Sequence, residues 1–229
     1  MIEPLMLAID TSTRMASVAV SREDMLLAEY TWRVGQNHTK QLLPVIKAVL
    51  SENGVTLQDL TAMSVALGPG SFNGLRVGLA TAKALAIAQG VPLVGIGTLE
   101  IEAYQHAACP WPVCAVHDAG RGMLAWAVYH HLAPGWHELM SPRVTLPEEL
   151  LAAVDSRTLF CGELPAWFVP QLKASLGRRA VIPTHAANVR HAGNLAELAW
   201  KRIVAGEVSD AALLQPMYLL RAPGEAKYD

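Results

Sequence analysis

Leu67-Gly68-Pro69-Gly70-Ser71-Phe72-Asn73-Gly74-Leu75-Arg76-Val77-Gly78 joins a short apolar run to a long helical pattern. The run over 61–67 predicts a strand, and the pattern over 74–89, stopped by Gly90-Val91-Pro92, predicts a helix. Glycines between them permit positive φ and close backbone approach, while the first N–H groups of a helix lack intrahelical partners. Such a terminus favours an anion. The same residues also read as a glycine-bearing turn with Ser71 or Asn73 as N-cap. No Lys-Ser/Thr follows the glycines, so the stretch is not a Walker loop.

Upstream, 5–9 is an apolar run ending in Asp10-Thr11-Ser12-Thr13, and 17–20 and 26–32 follow across charged turns. These predict a three-stranded meander. His38 opens a helix over 38–50, with Leu42, Leu43, Ile46, Val49 and Leu50 at spacings of three and four. Pro44 is tolerated there if the helix proper begins near Leu43, and Asn53-Gly54 supplies the stop. Downstream, 93–96 is another strand. Strand, strand, strand, helix, strand, helix, strand is a mixed α/β order.

Beyond a boundary near 98–102 the chain is choppier. Strands are expected at 113–116 and 123–129 around Asp118-Ala119-Gly120-Arg121-Gly122, with short helices at 147–154 and 165–176. A final helix over 188–205 carries Leu195, Leu198, Ala199 and Ile203 on one face. The expected division is an N-terminal lobe of 1–100 and a C-terminal lobe of 101–229, whose last helix can pack back on the first lobe.

Of 229 residues, 52% are hydrophobic and only 17% charged, with net charge −2, and the mean hydropathy is +0.26. That composition excludes a disordered chain. The three cysteines form no C-x-x-C pair, so a reducing, cytoplasmic setting is expected. No uncharged run is longer than that of residues 84–99, which is broken by glycines and Pro92, and a span needs about 20 apolar residues. No membrane segment is expected, and Met1-Ile2-Glu3-Pro4 does not resemble a signal peptide. With a pI near 6.4 and no basic cluster larger than a pair such as Arg178-Arg179, nucleic acid is expected only through a partner.

Asp10-Thr11-Ser12-Thr13 offers a carboxylate and three hydroxyls, suited either to a metal-bound phosphate or to an Asx/ST-turn. The eight histidines show no HExxH-like spacing, and neither Ser12 nor Ser71 sits in a G-x-S-x-G elbow. The 74–89 helix is apolar nearly all round, which implies packing on more than one side, in a subunit interface or within the monomer.

Taken together, these motifs resemble the TsaB (YeaZ) family of bacterial tRNA threonylcarbamoyladenosine biosynthesis proteins. The resemblance is carried by Asp10-Thr11-Ser12-Thr13, His38-x-x-x-Leu42-Leu43-Pro44 and the glycine motif with Arg76. It extends to Val116-x-Asp118-Ala119-x-Arg121-Gly122 and Pro216-x-Tyr218-Leu219-x-Arg221. Asn73 departs from the family's usual Thr, one extra Leu separates Tyr218 from Arg221, and Cys161-Gly162-Glu163-Leu164 replaces a Gly-Asn-Gly-Ala-like segment.

The resemblance implies an α/β, ASKHA (actin-like ATPase, RNase H-like) fold of two lobes with mixed sheets flanked by helices, the second degenerate. It implies a non-catalytic paralogue of TsaD, the subunit that transfers threonylcarbamoyl to the adenosine beside the anticodon of tRNAs reading ANN codons. TsaD is then the direct partner, TsaE joins in the complex, tRNA is met only through the complex, and the isolated chain is a homodimer. The metal-binding H-x-x-x-H of TsaD slides onto Thr98 and Glu102 here, and a hydroxyl with one carboxylate makes no comparable iron or zinc site. No catalytic residue and no metal are expected. No cofactor is expected either, beyond weak or vestigial nucleotide contact from Asp10, Thr11, Ser12, Gly68, Gly70 and Ser71. Leu42, Leu43 and Ile46, with Leu79, Ala80, Lys83 and Ile87, are the expected interface. The alternative is a small ASKHA-fold nucleotide-binding phosphotransferase, with Asp10 and the glycine loop taken at face value.

Overall fold

The computed structural model describes residues 4–34 and 37–219. The chain divides into two units, Met1–Ile101 with Arg190–Met217, and Glu102–Val189 with Tyr218–Asp229. The second unit is therefore not one continuous stretch: the last helix, which the sequence allowed to pack back on the first lobe, belongs to the first unit, with the segment after it as far as Met217.

In the first unit the sheet order is β3-β2-β1-β4-β5. β1 (Leu5–Asp10) is central and buried throughout. It pairs antiparallel with β2 (Met15–Arg22) and parallel with β4 (Ala62–Ala66), while β3 (Met25–Arg33) and β5 (Leu93–Ile96) form the edges. Alternation along β1 sends Leu5, Leu7 and Ile9 to one face, where they join Leu42 and Ile46 of α1 (His38–Glu52) and Leu79 and Ala82 of α2 (Phe72–Gln89). The opposite face, with Met6, Ala8 and Asp10, receives α6 (Ala192–Val204), which packs on β1 and β2.

Two helix boundaries differ from expectation. α1 runs from His38 straight through Pro44. Proline removes the bond that the Lys40 carbonyl would accept, but Pro44 is exposed, so water can serve that carbonyl. α2 begins at Phe72, its Ser71 cap accepting from Gly74 N–H at 3.5 Å, and ends at Gly90 with φ of 66°.

The second unit has sheet order β10-β9-β6-β7-β8, with β6 (Val113–Gly120), β7 (Met123–Leu132), β8 (Gly135–Thr145), β9 (Thr158–Cys161) and β10 (Ala180–Val181). Trp126, Val116 and Phe160 pack with Leu150 of α4 (Pro147–Ala153) and Phe168 and Leu172 of α5 (Phe168–Leu176). β8 was not legible because it is a largely exposed edge strand and lacks an apolar alternation. α5 and α6 begin three and four residues later than expected. α3 (Thr98–Tyr104) spans the division between the units. Among the described residues no helix is long and apolar enough to cross a membrane.

Candidate functional site

β1 ends by delivering Asp10 into the interior, where it is fully buried. Ser12 donates to Asp10 Oδ1 from both its backbone N–H, at 2.9 Å, and its hydroxyl, at 2.6 Å. Arg190, two residues before α6, donates from Nε to Asp10 Oδ2. Its Nη2 also donates to Thr13 Oγ1 and to the Met15 carbonyl, both at 3.0 Å. The His38 ring, at the start of α1, donates from Nε2 to the Thr13 carbonyl at 3.0 Å.

The glycine loop closes on the same turn. Ser71 N–H donates to the Ser12 carbonyl at 2.6 Å, and the Thr11 hydroxyl donates to the Gly74 carbonyl at 2.8 Å. A Cβ at Gly70 would lie 2.2 Å from the Ser12 carbonyl oxygen, at Gly74 2.1 Å from that of Thr11, and at Gly78 2.2 Å from Thr11 Oγ1. Glycine at 70 and 74 lets two backbone segments touch, and at 78 it leaves room for the Thr11 hydroxyl. At Gly68, φ of 107° is the reason instead. The six residues expected around a phosphate, Asp10, Thr11, Ser12, Gly68, Gly70 and Ser71, thus lie in one interlocked region whose polar groups bond largely to one another.

Thr98 and Glu102, the two positions the sequence comparison singled out, are also engaged. Thr98 Oγ1 accepts from Gly68 N–H at 3.1 Å. Glu102 Oε2 lies 2.6 Å from His117 Nε2, both side chains buried. Gly162, with φ of 92°, sits so close that a Cβ would be 2.6 Å from Glu102 Oε2. Among the described residues no three His, Cys, Asp or Glu side chains gather as a metal site. Burial pushes the Cys114 thiol up, and burial followed by the nearby Glu102 charge does the same at Cys161. Neither is a reactive thiolate.

Of the expected interface, Leu42, Ile46 and Leu79 are buried in the core of the first unit. That is a correction: helical periodicity marks apolar positions but does not say which already have neighbours. Leu43 (55% exposed), Ile87 (63%) and Ala80 remain open. Lys83 is half-buried, its Nζ donating to the carbonyls of Ala212 at 2.9 Å and Leu214 at 3.1 Å. Between α1 and α2 an apolar groove of about 400 Å³ is lined by Leu43, Ile46, Leu50, Val55, Leu57 and Leu85.

Sequence reasoning missed Arg190 and His117. A lone arginine ahead of an amphipathic helix carries no sign of a partner 180 residues away. The one cue to His117 was its place in the Val116–Gly122 motif.

The family model described as TsaD, tRNA N6-adenosine threonylcarbamoyltransferase, matches residues 32–215. The tRNA threonylcarbamoyladenosine biosynthesis protein TsaB of Bacillus subtilis is 31% identical over 226 residues, 97% of this chain and 96% of that protein. The chain belongs to the TsaB (YeaZ) family. The solved structure of YeaZ from Pseudomonas aeruginosa overlays with a TM-score of 0.81 at 27% identity, covering 94% of this chain and all of that one. Component A of the (R)-2-hydroxyglutaryl-CoA dehydratase of Acidaminococcus fermentans overlays at 0.50 with 10% identity over 88% of this chain, a likeness of fold alone. The architecture is the two-lobe ASKHA fold. Of the family motifs, Tyr218 is exposed and Arg221 lies outside the described residues.

Proposed function

We propose that this TsaB-family chain is a non-catalytic subunit of the assembly that adds threonylcarbamoyl to the adenosine beside the anticodon of tRNAs reading ANN codons. It acts by forming a heterodimer with a TsaD subunit, which performs the transfer. TsaE joins that complex, and tRNA is met only through it.

The observation that carries this reading is the outer surface of α1 and α2. Each helix has satisfied its core with one stripe and still exposes apolar residues: Leu43 of α1, which lines an apolar groove, and Ala80 and Ile87 of α2. Covering a partly exposed side chain such as Leu43 or Ile87 is worth about 1–2 kcal/mol. Ala80 and Ala84 are small and exposed, so another helix can approach closely. A two-fold contact through the same patch is self-complementary, so the isolated chain should pair with itself through it. Thr98 and Glu102, engaged with Gly68 and His117, support a role without catalysis or metal.

Co-purification with TsaD of the same organism, then a tRNA modification assay omitting each subunit in turn, tests this. Modification should require both chains. Modification by this chain alone, or undiminished modification without it, contradicts the proposal. Calorimetric titration with nucleotide separates it from the phosphotransferase alternative.

A further inference from the structure

In an ASKHA lobe, a buried carboxylate, adjoining hydroxyls and a helix N-terminus behind a glycine loop are the parts of a site for a metal-bound phosphate. The residues present do not fit such a group. Asp10 Oδ2 is bonded by Arg190 and Oδ1 is bonded twice by Ser12. The N–H of Ser71, at the mouth of α2, donates to Ser12 rather than pointing at a ligand. Gly70 and Gly74 lie in backbone contact with the carbonyls of Ser12 and Thr11. A phosphate entering here would have to displace protein from protein.

We infer that Arg190 is a built-in counter-cation at Asp10, so that the chain closes this turn to a metal-bound phosphate with its own side chain. A guanidinium is permanently charged and presents several donors in a fixed fork. Here the fork reaches Asp10, Thr13 and the Met15 carbonyl together. The guanidinium is also tethered: Arg190 lies two residues before α6, Ala192 N–H donates to Ser17 Oγ at 3.0 Å, and Gly193 N–H donates to Glu29 at 2.8 Å. A tethered cation competes at high effective concentration against a free one.

The closure has a structural consequence. The Asp10–Thr13 turn holds the start of α1 through His38 and the start of α2 through Ser71 and Gly74. Both helices are therefore fixed without any ligand. The inference does not depend on which partner those helices meet.

Thermal unfolding and calorimetry on the full chain test it. The wild type should give no saturable heat with Mg-ADP or inorganic phosphate. Arg190→Met should lower the melting temperature by roughly 10 °C, as expected for an uncompensated buried carboxylate. Adding Asp10→Asn should recover at least half of that loss, because the charge needing compensation is gone. If Arg190→Met does not fold, a folded double variant supports the inference just as well. A double variant no more stable than Arg190→Met overturns it, since Arg190 would then act by packing alone. Saturable Mg-ADP binding to the wild type that vanishes in the double variant also overturns it, whereas binding that persists there lies elsewhere and leaves the closure standing.

Discussion

Glu102 of α3 and His117 of β6 are joined Oε2 to Nε2 at 2.6 Å, both buried in the second unit. With Glu102 committed to His117, the pair should matter to stability. Removing one partner of a buried pair costs about 3–5 kcal/mol. Glu102→Ala should show that loss in urea denaturation, and Glu102→Gln, which keeps a hydrogen-bonding oxygen, a smaller one. Elemental analysis of the purified chain should find well under one iron or zinc per molecule. About one tightly held transition metal would contradict this.

Gly70 is held by space. A Cβ there would meet the Ser12 carbonyl oxygen at 2.2 Å, and Gly70 is not among the positive-φ glycines, so of the two uses of glycine in this loop it serves close backbone approach. Gly70→Ala should therefore destabilise by about 2 kcal/mol or more through overpacking. Gly135→Ala, with nothing within 4 Å of the new Cβ, should stay within about 0.5 kcal/mol of wild type. Equal melting temperatures for the two variants would contradict the close-approach account.

Lys83 fastens the segment that follows α6. Ser209 N–H donates to the Leu93 carbonyl, Met217 N–H donates to that of Leu67, and Lys83 holds Ala212 and Leu214 between them. Lys83→Met keeps the aliphatic stem and loses both charged hydrogen bonds, a change of about 1–3 kcal/mol. Hydrogen exchange should quicken in peptides covering 209–217 while β1 and β4 stay protected. Unchanged exchange over 209–217 would show that the segment is held without Lys83.

Burial lowers the pKa of His106 below its usual 6.5. The neutral ring is thus favoured in the folded chain, and the unfolded chain takes up the proton first. The resulting stability is full above pH 6.5 and is lost as pH falls through the folded-state value. His106→Gln should flatten the decline in melting temperature below pH 6.5. An equally steep decline in this variant would place the acid sensitivity elsewhere.

The sequence carried the first lobe because its signals are local: an apolar β1, a period-3.6 stripe on α1, and glycines framing the start of α2. The second unit was harder. β8 is an exposed edge without alternation, and β10 has only two residues. At the site, the residues of the Asp10 turn and the glycine loop were legible, but what they touch was not. Arg190 and Asp10 are brought together by α6 crossing the sheet, a relationship that no local pattern encodes. The interface residues failed in the same way: Leu42, Ile46 and Leu79 are as apolar as Leu43 and Ile87, and only packing distinguishes them.

That distinction fixes the most direct test of the proposed function. Leu79 is core and unsuitable, so Ala80→Glu and Ile87→Glu should be combined and circular dichroism used to confirm a folded chain. Size-exclusion chromatography with light scattering then compares wild type and variant, alone and with TsaD of the same organism. The wild type should run as a homodimer that TsaD converts to a heterodimer. The variant should remain monomeric, with TsaD affinity at least roughly 100-fold weaker, because two carboxylates would be buried unpaired. A folded variant that still forms both dimers at wild-type affinity would show that the α1–α2 face is not where the partner docks.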